Sequence, residues 1–376
     1  MEEVAGDRAA FGARAKMSER FDVIVAGGGP AGSSAAITAA RDGARVLLLE
    51  RGGLPRHKVC GEFVSPESLN ILRGLLGSED ALQAAPRIER ARVVFARDVL
   101  EAPVRPPALS VSRYQLDALL WDAAARAGAD ARQQVEVQRV APDGRRFRVA
   151  ASAGEFSATA VINASGRWSR VSGVSARSSK ARLLGLKAHF RAPNIADFAG
   201  TTTLYVFRGG YCGVQPVLSP DGIGVLLNAC ALVDASAAAS LAQALALHPA
   251  LAAAARDWQP VMGPVTTSPL LFGTPRPVDE NGVLLAGDAA GFIDPFVGDG
   301  IAIALASGAL AGGCCIEGGA ERYAREYRRR FAPAFRNARR LRRLLEMPPP
   351  LRAPVVKALR LPGVAEAMLR RTRARL

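Results

Sequence analysis

Histidine and cysteine are scarce in this chain. Its 376 residues include three histidines (His57, His189, His248) and five cysteines (Cys60, Cys212, Cys230, Cys314, Cys315). An odd number of cysteines without metal-ligand spacing excludes a disulfide-stapled scaffold and a cysteine zinc site. It points to a reduced, cytoplasmic protein with no bound metal. Long apolar runs are missing too. The longest uncharged apolar stretch, Ile301 to Ile316, is shorter than the ~20 residues that span a bilayer. It contains Gly308, Gly312 and Gly313 and reads as a buried, closely packed helix. Residues 1–20 have mixed charge and no apolar centre, which excludes a secretory signal there. Met17 opens a more natural start, so residues 1–19 are expected to be a disordered extension.

Acidic residues are thin at the C-terminal end. Residues 321–376 hold 17 Lys and Arg against 4 Asp and Glu, leaving 32 and 30 in the rest of the chain. The body is near neutral and the end reads as a basic helical tail. Such a tail suits an anionic membrane surface or an acidic partner, so a cytoplasmic protein peripheral to the inner face of the membrane is expected. Nucleic acid is not expected, because Tyr323, Tyr327, Phe331 and Phe335 fit helix packing better than base stacking. The oligomeric state is not legible.

Against these absences stands residues 21–50, FDVIVAGGGPAGSSAAITAARDGARVLLLE. The order is apolar strand, glycine turn, small-residue helix, second strand, acid. Gly27 permits the tight turn, Gly29 lets main chain approach a pyrophosphate, and Gly32 lets helix pack on strand. Pro30 and Ala31 open the helix, whose free N–H groups and partial positive charge face the phosphates. Glu50 ends the second strand, where a carboxylate can accept ribose hydroxyls, with Arg51 beside it.

The remaining pattern gives an α/β fold. A Rossmann-like nucleotide domain (20–73, 108–170, 265–330) is interrupted by an antiparallel-sheet substrate domain (74–107, 171–264). A basic helical tail (331–376) follows. Ser112–Ala127 has helical spacing and ends before Gly128. The segments around 183–232 alternate as strands with turns at Gly209-Gly210 and Asp221-Gly222. Residues 233–257, which include His248, read as an alanine-rich helical region.

A second motif, Gly287-Asp288-Ala289-Ala290-Gly291 running through Pro295 and Gly298-Asp299-Gly300-Ile301, places an aspartate after a strand and a new helix after that. Together the two motifs resemble the flavoprotein superfamily that contains aromatic hydroxylases and geranylgeranyl reductases. The resemblance covers about residues 20–330 and implies FAD as the held nucleotide. It also implies that Arg113 contacts the FAD pyrophosphate and Val137 the adenine.

Residues 58–62, Lys-Val-Cys-Gly-Glu, resemble a loop of the geranylgeranyl reductase family that lies beside the isoalloxazine, which marks Cys60 and Gly61. Lys58 and Glu62 read as a solvated pair. Gly209-Gly210-Tyr211-Cys212-Gly213-Val214-Gln215-Pro216 resembles that family's G-G-Y-x-W-x-F-P motif, but Gly213 and Gln215 replace two aromatic pocket walls. Tyr211 remains as a pocket residue. Ser165 stands where hydroxylases carry the aspartate that helps handle NAD(P)H, and the W-x-W-x-I-P signature of halogenases is nowhere in the chain.

The expectation is an FAD-dependent oxidoreductase that passes hydride to a double bond of a small apolar, isoprenoid or polyketide-like substrate. Cys60 or Tyr211 is the candidate proton source. NAD(P)H, a reduced carrier or an electron-donor protein would supply electrons. The alternatives are a flavin monooxygenase acting on an aromatic or polyene molecule, and a non-catalytic flavoprotein recruited by its basic end.

Overall fold

In the computed structural model the first apolar run forms β1 (Glu19–Ala26), the small-residue segment α1 (Pro30–Arg41) and the second run β2 (Val46–Glu50). The structure describes residues 19–167 except 79 and 97, residues 183–348 except 268, 269, 271, 317 and 318, and residues 354, 357–359, 363 and 364. The expected N-terminal extension and most of the chain after 348 lie outside the described residues.

After β2 come β3 (Phe63–Val64), α2 (Pro66–Leu76), β4 (Arg87–Val94), β5 (Val99–Ser110) and α3 (Arg113–Arg126). Ser112 caps α3 by accepting the Gln115 N–H, as its position before the apolar periodicity predicts. The next strands are β6 (Asp130–Gln133), β7 (Val137–Asp143), β8 (Arg146–Ala151) and β9 (Gly154–Asn163). Then follow β10 (Leu183–Arg191), β11 (Thr201–Phe207), β12 (Gly210–Leu218) and β13 (Val225–Asp234). Two short helices, α4 (Leu241–Ala246) and α5 (Pro249–Ala254), lead to β14 (Gln259–Pro260), β15 (Val265–Thr266) and β16 (Leu284–Leu285). Two long helices close the described chain, α6 (Gly300–Ile316) and α7 (Gly319–Glu346).

The strands form two sheets. The first runs β6-β2-β1-β9-β8-β7, with β16 pairing β9. Its β6-β2-β1-β9 and β9-β16 pairs are parallel, so β1, β9 and β16 deliver their carboxyl ends together at Ala26, Asn163 and Leu285. Ligands of open α/β sheets bind outside that edge. The second sheet runs β14-β10-β13-β12-β11-β4-β5-β3, with β15 on β10, and is antiparallel except at the β11–β4 pair.

Small residues let α6 lie directly on α1. A Cβ on Gly308 would sit 2.0 Å from the Ala31 carbonyl oxygen, and one on Gly312 would sit 2.5 Å from that of Ala35. The run Ile301–Ile316 is therefore a packed internal helix, as its glycines predict. No helix among the described residues is long and apolar enough to cross a membrane.

The basic end differs from the expected appendage. Tyr323, Tyr327 and Phe331 of α7 are fully buried and join the core of the first sheet. The Tyr323 hydroxyl donates to the Leu285 carbonyl at 2.7 Å. An amphipathic period puts aromatics on one face and arginines on the other, so helix 319–346 is part of the body. His248 stands just before α5, not inside a helix, and packs buried against Tyr205.

Candidate active site

Gly27 adopts φ +105°, and a Cβ on Gly32 would fall 1.7 Å from the Gly27 carbonyl oxygen. Both positions need glycine for the turn to close onto α1. Pro30 is the first helical residue, and Gly29 precedes it in extended conformation, leaving the first N–H groups of the helix aimed outward. A Cβ placed on Gly29 would lie 3.5 Å from Arg113 Nη2 and 3.7 Å from Lys58 Nζ. Two cations therefore stand over the turn at the helix N-terminus, which is the chemistry of a phosphate site.

One carboxylate holds both cations. Asp117, fully buried, accepts Arg113 Nε at 2.6 Å and Nη2 at 2.8 Å, and pairs with Lys58 Nζ at 2.9 Å. Burial opposes the charge on Asp117, but Arg113 and Lys58 outweigh it and hold the carboxyl below its ordinary range. Burial pulls the Lys58 ammonium below the ordinary lysine value despite Asp117. Asp117 is a functional position that the sequence reading missed. Its spacing, four residues after Arg113 in a capped helix, was the available signal.

Glu50 is buried and accepts the Gly28 N–H at 2.7 Å and the Gly52 N–H at 3.0 Å. Arg56 pairs with it at 2.7 Å. Arg51 is exposed, so Arg56 is the arginine that reaches the acid. Val137 starts β7 two residues beyond Val135, whose N–H donates to the Glu50 carbonyl. These groups sit together as the ribose and adenine end would require. Across the sheet edge, Gly287 packs on Ala31. Asp288 faces Arg167 at 3.8 Å, and burial raises its pKa against the pull of Arg167 and Arg113. Pro295 opens a short turn that ends at Gly298, and Gly300 and Ile301 begin α6. Turn, acid, cations and second helix N-terminus thus line one cleft, and this donor set fits a dinucleotide with a diphosphate.

The loop carrying Cys60 is not solvated. Glu62, fully buried at φ +63°, ion-pairs with Lys187 and bonds His189 Nε2 at 2.8 Å; it also accepts the Arg113 N–H at 2.8 Å. The expected Lys58–Glu62 solvated pair is therefore wrong. Each residue has a separate buried partner, because the second sheet brings Lys187 and His189 over the loop. Burial opposes charge on Glu62, but Lys187 and His189 hold its carboxyl below the ordinary value. His57 packs edge-on against His189 with ring centres 5.1 Å apart. The carboxylate and imidazoles of His57, Glu62 and His189 fall within 4.8 Å of one another. The Lys187 ammonium already supplies the positive charge there.

Asn228 Nδ2 donates to the carbonyls of Cys60 and Gly61 at 3.2 and 2.9 Å, tying the loop to β13. Cys60 accepts the Glu62 N–H at 3.3 Å, and burial raises its thiol pKa, so it stays protonated near neutrality. Tyr211 lies on β12, four residues from Gln215, which pairs with Asn228. That spacing is about 13 Å of strand. Cys60 and Tyr211 therefore occupy separate positions along the inner face.

Tyr211 belongs to an apolar wall with Leu232 and Leu270, backed by the half-buried Phe272, Phe292 and Phe296. Phe272 and Phe292 stack with centres 5.3 Å apart. The aromatic rings of this wall come from Tyr211, from Phe272 ahead of the second motif and from Phe292 and Phe296 within it, and not from positions 213 and 215. A Cβ on Gly213 would meet open space apart from the Cys230 carbonyl at 3.8 Å, while Gln215 bonds Ser110 at 2.6 Å. The Tyr211 hydroxyl donates to Asp294 at 3.2 Å, and Asp294 also accepts Arg342 of α7 at 2.6 Å.

Known proteins match this arrangement. The family description of an FAD binding domain matches residues 20–221. It is a member of the FAD-dependent geranylgeranyl reductase family. The flavoprotein is 31% identical over 327 residues to a digeranylgeranylglycerophospholipid reductase of Thermoplasma volcanium, covering 78% of this chain and 77% of that one. It is 28% identical over 372 residues to a menaquinone reductase of Mycolicibacterium smegmatis, covering 88% and 86%. Among solved structures, the brominase Bmp2 matches with TM-score 0.77 at 21% identity, covering 94% and 93%, which speaks for the fold alone. The myxobacterial chondrochloren halogenase CndH matches with TM-score 0.68 at 26% identity, covering 83% and 79%. The flavoprotein is therefore an FAD-dependent oxidoreductase in a superfamily shared with flavin hydroxylases and halogenases.

Proposed function

We propose that this flavoprotein reduces a carbon–carbon double bond of an apolar substrate. The observation that carries the reading is the wall of Tyr211, Leu232, Leu270, Phe272, Phe292 and Phe296 beside the second motif. Bound FAD, once reduced by NAD(P)H or a reduced carrier, would supply the hydride. The π bond opens, one carbon takes the hydride and its neighbour takes a proton. Cys60, kept protonated by burial, is the proton source within the loop that borders the cofactor. Tyr211 is bonded to Asp294 and orients the wall; burial keeps its hydroxyl protonated as well. Arg113, Lys58, Glu50 and the Gly29 turn hold the dinucleotide. The second sheet serves as the substrate-binding part and the first as the FAD-binding part.

The test is anaerobic. The reduced, FAD-loaded protein is mixed with a menaquinone or a digeranylgeranylglycerophospholipid, the compounds that the relatives' names carry. Return of oxidised flavin absorbance together with a product richer by two hydrogens supports the reading. The likeness to the halogenase CndH favours a second reading, oxygen-dependent monooxygenation. Flavin that stays reduced with every alkene, but turns over with oxygen to hydroxylate an aromatic, replaces the first reading with the second.

A further inference from the structure

Helix α7 shows its two faces unequally. Tyr323, Tyr327, Phe331, Ala334, Ala338 and Leu341 are buried against the body. Arg325, Arg328, Arg336, Arg340 and Arg343 are exposed, and none of them makes an ion pair among the described residues. At 3.6 residues per turn these five fall within an arc of about 120°, spread along about 27 Å of helix. Glu326 ion-pairs with Arg329 and Arg330 instead of with any of these five. Like charges three and four residues apart repel, so the stripe is held in place by the packing of the opposite face.

The same helix reaches the apolar wall. Arg342 bonds Asp294, which accepts the Tyr211 hydroxyl, and its guanidinium lies 4.7 Å over Phe272. Arg339 donates to the Gly273 carbonyl at 2.8 Å and to Thr274 at 3.1 Å. One rigid element therefore carries a cationic stripe outward and clasps the pocket wall inward.

We propose that the arginine stripe of α7 docks the protein on an anionic bilayer. Charge complementarity selects the occupant: five exposed arginines along one face of the helix match a negative surface. The exposed face offers no aromatic platform for single-stranded bases, because the helix's aromatics are buried. The docking idea rests partly on the apolar-substrate reading, since a bilayer is where such a molecule dissolves.

Co-sedimentation of the full, FAD-loaded chain with vesicles tests it. Binding to phosphatidylcholine vesicles containing phosphatidylglycerol is expected, with none to phosphatidylcholine alone and release at high salt. The triple variant Arg328→Glu, Arg336→Glu, Arg340→Glu should weaken binding by at least about a hundredfold, given roughly fivefold per arginine near an anionic surface. Its flavin spectrum and melting temperature should be unchanged, and the matching triple Gln variant should lose less. Absence of binding to anionic vesicles at low salt would overturn the proposal. So would equal binding of parent and triple variant, which would assign docking to residues after 346, or a preference for double-stranded DNA over vesicles. Vesicle binding needs no turnover, so its failure leaves the reductase reading standing, and the converse holds.

Discussion

At the glycine turn of the first sheet, main chain does most of the work: α1's free N–H groups, Gly29's openness and the contact of Gly32 on Gly27 shape the phosphate end. On the inner face of the second sheet, side chains do it. Lys187, His189 and Asn228 arrive from strands more than a hundred residues after the loop they hold. The first region is satisfied by local geometry; the second depends on buried charges finding partners across the molecule. The difference predicts different failure modes. Backbone sites break by sterics, whereas buried ion clusters break by losing one partner.

Removing Glu62 should show the largest effect. Glu62→Ala leaves the Lys187 ammonium buried without its carboxylate and should cost about 4 kcal/mol in urea unfolding. Adding Lys187→Met should recover more than half of that loss. Additive losses would show that the pair does not couple the sheets.

Gly32→Ala strikes the other region. Its methyl would have to displace the Gly27 carbonyl, so about 3 kcal/mol of stability should go together with tight FAD retention. Full FAD affinity in this variant would show that the turn is not the phosphate site.

Asp117→Asn bridges the two regions by loosening Arg113 and Lys58 together. FAD affinity, followed by flavin fluorescence, should fall about 30-fold, or about 2 kcal/mol. The pH dependence shares this origin. Glu62 and Asp117 are held below their ordinary values of 4.5 and 3.8. The unfolded chain therefore takes up protons first on acidification. The stability they give is complete above about pH 4.5 and is lost as pH falls through the folded values. Urea midpoints measured from neutral pH downward should drop in that window, and less steeply in Asp117→Asn.

Gly213→Trp should have the smallest effect on stability, within about 0.5 kcal/mol, because its Cβ points into open space. It should change the preference among apolar alkenes by chain length. An unchanged preference would remove Gly213 from the pocket.

Much of the nucleotide cleft was legible. Gly27, Gly29, Gly32, Glu50, Gly287 and Asp288 could be marked out because strand, turn and helix signals are short-range, and Arg113, marked by the family resemblance, stands over the same turn. The glycine-broken run 301–316 was legible as a packed helix for the same reason. Lys58 and Glu62 misled because adjacency in sequence suggested a pair, while each found a closer, buried partner. At the basic end the aromatics Tyr323, Tyr327 and Phe331 were legible as packing residues, but the net charge suggested an appendage where their helix in fact joins the core of the first sheet.

The sequence by itself determined the order of elements, the dinucleotide turn and the closely packed character of helix 301–316, since each depends on residues a few positions apart; that this helix lies on α1 was decided by the tertiary structure. Only the tertiary structure decided that Asp117 holds two cations and that Glu62 answers Lys187 and His189. It also decided that Phe272, Phe292 and Phe296 back Tyr211, Leu232 and Leu270 in one apolar wall. Those pairings join residues as far as 127 positions apart. Burial, which makes an unpartnered charge costly, is fixed only when the second sheet folds over the first.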